Sequence, residues 1–132
     1  MATSTDVTAG TNATATQYNN LRGDWLLGRK TLTTVADAAT MTFNLAVSNF
    51  FITGALTDNR TFAFSNIVTG QPFTIIVLQD GTGSRTITWP ANVKWMGGVA
   101  PTTSGANAYD VFTLVRVDGT NYLGFFNGFN FS

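Results

Sequence analysis

Asp110 and Asp118 are the residues whose type and spacing come nearest to a catalytic pair. Two carboxylates flanking one bond are the machinery of a glycosidase. Both, however, lie at the ends of one strand-like segment, where an aspartate ordinarily caps backbone amides in a turn. The turn reading therefore takes precedence. Histidine and cysteine are absent from the chain, which removes imidazole acid–base chemistry and thiolate nucleophiles. Zinc lacks its preferred ligands for the same reason. Asp80-x-Thr82 offers two oxygens to calcium, but no ladder of acidic ligands surrounds it. Gly81-x-Gly83 has the look of a phosphate loop without its lysine, its third glycine or a following helix. Its glycines instead predict the positive φ angles of a hairpin turn. No catalytic residue, metal ligand or cofactor site is assigned, and an enzyme is not expected.

Aromatic residues are the other candidates. Trp89 and Trp95 could form a sugar-stacking platform or could pack inward; the local alternation leaves their orientation open. Tyr122, Phe125, Phe126, Phe129 and Phe131 crowd the last eleven residues. Strict alternation places Tyr122 and Phe126 on one face and Phe125, Phe129 and Phe131 on the other. Two apolar faces this near the end of the chain describe either a second central strand or a strand covered by a neighbour as well as by the core. Phe129 and Phe131 are accordingly candidates for an oligomer or attachment interface.

The elements that would position these groups fall into two parts, 1–30 and 31–132. Residues 1 to about 13 are small and polar, and read as an extended arm. Thr14 and Gln17 fit a capping box, after which Tyr18, Leu21 and Trp25 recur on one helical face. Gly28 followed by Arg29 and Lys30 would stop that helix. A helix of about three turns is marginal alone and requires something to cover its stripe. Tyr18, Leu21 and Trp25 are therefore the second group of candidate attachment residues.

From Thr31 the apolar period changes to two. Met41, Phe43, Leu45 and Val47 alternate with polar or small residues, as do Phe62 and Phe64. Phe73 to Leu78 is apolar on both faces apart from Thr74, the pattern of a central strand. Thr86 to Trp89 follows the glycine turn, and Tyr109 to Val117 leads through Asp118-Gly119 into Asn121–Phe126 as a hairpin. Seven to nine strands are counted, at turn spacings typical of a sandwich or barrel. No internal repeat is evident, and the spacing is too irregular for a solenoid. The expected fold is all-β: an antiparallel, jelly-roll-like β-sandwich preceded by a short arm and helix.

Charge excludes further classes. The chain of 132 residues is one domain at most, with a short appendage, and its formal net charge is zero. There is no basic cluster to neutralise phosphates, so nucleic acid is not an expected partner. No apolar run approaches the ~20 residues of a membrane helix, and the first residues lack a signal-peptide pattern. Only 11% of residues are charged, low enough to imply that part of the surface is covered in an assembly.

Two stretches carry a family likeness. The first runs from Ala9-Gly10-Thr11 through Ala15-Thr16-Gln17-Tyr18-Asn19-Asn20-Leu21-Arg22 to Asp24. The second is the run Gln79–Pro90, with Trp95, Gly97-Gly98, Pro101, Asp110-Val111-Phe112-Thr113 and Asp118-Gly119-Thr120-Asn121. Together they resemble bacteriophage virion surface proteins, in particular β-rich modules of tail fibres and of capsid decoration proteins. The middle of the chain, from Thr31 to Gln71, matches by pattern alone. The resemblance implies a homotrimer without cofactor or catalytic residues. It also implies synthesis in the bacterial cytoplasm, location in the virion, and contact with the major capsid protein or a tail protein. A fibre normally carries a long shaft, so a chain running from Met1 to Ser132 points to a capsid decoration (cement) protein. The alternative is a small tail-fibre or receptor-binding knob.

Overall fold

The computed structural model describes residues 14–16 and 31–132, and the β-strands all fall in one compact unit, Leu32–Ser132. Nine strands occur among the described residues: β1 (Thr33–Val35), β2 (Thr40–Asn44), β3 (Phe50–Thr53), β4 (Arg60–Ser65), β5 (Pro72–Leu78), β6 (Ile87–Thr88), β7 (Val93–Trp95), β8 (Tyr109–Arg116) and β9 (Tyr122–Phe131). They form a six-stranded sheet in the order β1-β3-β5-β8-β9-β7 and a three-stranded sheet in the order β2-β4-β6.

The expectation of an antiparallel jelly roll is overturned. From β1 to β6 the chain alternates between the two sheets, so that β1, β3 and β5 are parallel, and so are β2, β4 and β6. Each pair of strands thus makes one coil, and three coils stack. Thr33 sits beside Phe51 and Phe51 beside Ile75, so one coil advances 18 residues and the next 24. That unequal length hides the repeat in the sequence. Only β5 with β8 and β8 with β9 pair antiparallel, and β7 closes the edge in parallel with β9. The connections explain the outcome: after each of the first six strands the chain crosses to the opposite sheet rather than turning back beside the strand it has left. No α-helical element occurs among the described residues beyond Ala15 and Thr16; the remainder of the expected helix lies outside them.

Inward positions follow the alternation. Met41, Phe43, Phe51, Phe62, Phe73, Ile75, Phe112 and Leu114 are at most 2% exposed, and they bring both sheets onto one core. Each buried phenylalanine contributes roughly 1.5–3 kcal/mol through removal from water. The rings touch in series: Phe43 meets Phe62 at 4.8 Å, Phe62 meets Trp89 at 5.1 Å, and Trp89 meets Phe112 at 5.0 Å. These tilted and edge-on contacts are favoured by the ring quadrupole and tie the small sheet to the large one. β5 is central, as its two apolar faces predict, with β3 on one side and β8 on the other.

Polar residues stitch the coil corners. Asp37, between β1 and β2, accepts two bonds of 2.7 Å from Arg60 at the start of β4 and one from the Thr57 hydroxyl. The Arg60 guanidinium holds the Asp37 carboxyl at about 2, well below its ordinary value. A bidentate pair of this kind fixes geometry as well as charge.

Candidate functional site

Asp110 and Asp118 do not converge. Asp110 is the second residue of β8 and Asp118 follows its end, so the strand between them holds the two apart by roughly 20 Å, beyond any glycosidase separation. Each has a structural occupation. Asp110 is fully buried and accepts from the Ser104 amide at 2.8 Å, the Ser104 hydroxyl and the Asn130 amide. Asp118 accepts from the amides of Thr120 and Asn121 and from the Asn121 side chain. These bonds, the Asn121 side chain foremost, lower its carboxyl to about 2. The turn reading of Asp118-Gly119 stands, with Arg116 paired to Tyr122 across the hairpin.

The run Gln79–Pro90 is not a hairpin, because β5 and β6 belong to different sheets. It is a crossover loop folded on itself. The Asp80 carboxylate accepts from the amides of Thr82 and Gly83 and pairs with Arg85 at 2.9 Å. The amides that could cradle a phosphate are thus already bonded to the loop's own anion. Arg85 holds Asp80 at about 2, below the ordinary carboxylate value. Buried Gln79 acts as a surrogate strand, bonding the Arg85 amide through Oε1 and the Arg85 carbonyl through Nε2. Of the two glycines only Gly83 has positive φ, at 72°. Among the described residues no cluster of three acidic or other metal-ligating side chains occurs. Asn59 Oδ1 accepts the Thr86 amide, which joins the start of β4 to this loop.

Trp89 and Trp95 pack against the core. Trp89 lies edge-on to Phe62 and to Trp95, at 5.1 and 5.0 Å, so the two do not form an exposed platform. Exposed apolar groups gather elsewhere. Met96 and Val99 are 93% and 75% exposed and border an open depression of about 340 Å³ with Trp95, Pro101, Phe125 and Phe126.

Phe129 and Phe131 are exposed, but not side by side on one face. Two irregularities in the β8–β9 register break the alternation. Phe129 stacks on Phe126 at 5.8 Å, whereas the Phe131 ring folds back over Gly128 beside Val111. Tyr18, Leu21 and Trp25 lie outside the described residues. Sequence reasoning marked the run from Gln79, and the loop 96–108 as a place for an exposed patch, but gave no bonding role to Gln79 or Ser104 and did not single out Met96 and Val99.

The geometry defines a β-structural domain in which the interactive polar residues bind the chain to itself. Residues 35–122 match the family described as "Putative phage tail fibre C-terminal domain". The chain belongs to that family, and it is a phage structural protein of the tail-fibre type. The match includes the middle of the chain and leaves out the N-terminal stretch that carried half of the resemblance. No curated protein and no solved structure matches it.

Proposed function

We propose that the chain is a non-enzymatic, self-associating component of a phage tail fibre. The observation that carries this reading is the family match over residues 35–122, which favours a fibre component over a capsid decoration protein. The occupied carboxylates support a non-catalytic role: Asp80, Asp110 and Asp118 each hold a loop or a turn in place. A homotrimer, with Tyr18, Leu21 and Trp25 in its attachment segment and Phe129 and Phe131 at its interface, is the assembly proposed. Phe129 and Phe131, 67% and 55% exposed, need such a cover. Gold-labelled antibody on intact virions tests the location. Label at the tail is expected; label spread over the capsid would return the chain to the decoration class.

A second reading is host recognition. The exposed apolar pair Met96 and Val99, beside polar Thr102, Thr103 and Ser104, favours a contact surface at this loop. Adsorption of the purified chain to host cells, reduced by Met96→Asp with Val99→Asp, is the expected result.

A further inference from the structure

β4 outruns its neighbour. It spans Arg60–Ser65, whereas β6 spans only Ile87–Thr88 and pairs with Arg60 and Thr61 alone. The backbone bonds fix which groups are left over. The Thr61 amide donates to the Ala39 carbonyl and the Leu45 amide to the Ser65 carbonyl, so the odd-numbered residues of β4 turn their polar groups toward β2. The Arg60 amide donates to the Thr86 carbonyl, so the even-numbered residues turn theirs toward β6. Continued in register, the ladder would next need Pro90 to donate to the Phe62 carbonyl, and proline has no N–H. The chain leaves there for the large sheet, the Pro90 carbonyl taking the Val93 amide at the start of β7. The Phe62 carbonyl and the Phe64 amide and carbonyl therefore face the vacated lane with no partner among the described residues.

The lane is an open notch of about 320 Å³, bordered by Phe62, Phe64, Trp89, Pro90, Asn92 and Tyr122. Its floor is aromatic: the Phe64 ring lies 5.3 Å from Tyr122, and Phe62 lies 5.1 Å from Trp89. Asn92 is held at its border by a bond to the Thr120 carbonyl. Phe62–Ser65 carry no charge, the common guard against strand addition at a free edge. The groups of the lane define what complements it. Along β4 they read C=O, N–H, C=O. A strand parallel to β4, as β6 is, meets them with the N–H and C=O of one residue and the N–H of the residue two further on. The residue between stands in register with Phe64 and turns its side chain inward, onto the rings. The complement is three extended residues, an apolar one between two that are not proline. A sugar stacks on rings but has no strand repeat with which to match the edge.

We propose that the lane beside Phe62 and Phe64 takes one extended segment of a different polypeptide, added to the small sheet as a strand where β6 stops. A strand already built into a folded sheet, as in a second copy, would meet Trp89 and Pro90 in the same lane before it reached β4, whereas a free segment has room to enter. Such a partner is additional to the copies of the chain proposed above.

The test follows amide hydrogen exchange in the full chain by NMR, with the peptide acetyl-Gly-Thr-Val-Thr-Gly-amide as probe. In the chain alone the Phe64 amide is expected to exchange about 100-fold faster than the Ala63 amide, which is bonded to β2. At about 1 mM the peptide is expected to slow Phe64 about fivefold, equivalent to a Kd of about 0.25 mM, and to leave Ala63 unchanged. The same peptide N-methylated at both threonines, or with aspartate in place of valine, is expected to slow it less than about twofold. No slowing by the parent peptide overturns the proposal, and so does equal slowing by either control. Maltohexaose at about 5 mM slowing Phe64 as much as the peptide does would assign the lane to a glycan and overturn it too. A Phe64 amide already protected in the chain alone also overturns it. Protection that disappears on dilution assigns the lane to a second copy, and protection that persists in the monomer assigns it to this chain's own remaining residues.

Discussion

The indole of Trp95 lies against Gly124, its partner across β7 and β9, so closely that a Cβ on Gly124 would come within 2.6 Å of the ring. The missing side chain lets Trp95 reach inward to Trp89 at 5.0 Å and Phe112 at 6.1 Å. β7 is only three residues long, so this ring is much of what holds the edge strand in place.

Gly124→Ala should therefore displace the indole rather than add a harmless methyl. Overpacking of this kind costs about 1–3 kcal/mol. A lower melting temperature together with a shift in tryptophan emission is the expected outcome. An unchanged spectrum and melt would show that the ring has room to move.

Gly83 and Gly81 make a paired comparison within one loop. Gly83 has φ 72°, and a Cβ there would sit 2.1 Å from the Ala106 nitrogen, which is backbone and cannot rotate away. Gly81 has nothing within 4 Å and no positive φ. Urea unfolding should show Gly83→Ala losing more than about 2 kcal/mol, with Gly81→Ala inside about 0.5 kcal/mol of the wild type. Equal effects would contradict the loop geometry.

Asp110→Asn tests whether the buried carboxylate is structural. It takes three bonds from Ser104 and Asn130, all from donors. An amide there points its NH₂ at one of those donors, with an expected loss of about 1–3 kcal/mol. Chemical denaturation measures it. A variant as stable as the wild type would reopen the question of what Asp110 is for.

Acid should weaken the domain within a defined window. Asp37, Asp80 and Asp118 are each held at about 2, against an ordinary 3.8. A carboxyl depressed in the folded state adds stability that is present above its unfolded value and is lost as pH falls toward the folded one. The melting temperature should therefore be level near neutrality and drop between about pH 4 and pH 2. Asp37→Asn should melt lower at pH 7 and lose less on acidification, because its share of the titration is gone. A melt that does not change down to pH 2 would contradict all three assignments.

Part of this architecture was legible residue by residue. Met41, Phe43, Phe62 and Phe64 alternate with small or polar residues because one face of each strand meets the core, and all four pack there. Asp118 and Gly119 announced the β8–β9 hairpin because their turn is closed by bonds between near neighbours. The same local reasoning failed at Gln79–Pro90. Asp80 and Gly83 do make turn contacts, but a turn motif does not say whether the chain emerges beside the strand it left or in the opposite sheet. It failed again at Phe129, where register shifts against β8 moved the ring onto Phe126.

The amino-acid sequence by itself determined the β character of residues 31–132, most of their inward residues, the absence of imidazole and thiol chemistry, and a charged fraction of only 11%. These depend on composition and on the side-chain period of a strand, which are local. Only the tertiary structure decided that the first six strands wind in parallel between two sheets. It alone also showed that Phe50, Thr74, Thr113 and Phe125 line up in one row across the back of the large sheet. A period of two reports that a strand has two faces, but not which neighbour lies beside it or in which direction that neighbour runs. Those are contacts between residues far apart in the chain, 18 positions from Thr33 to Phe51 and 39 from Thr74 to Thr113.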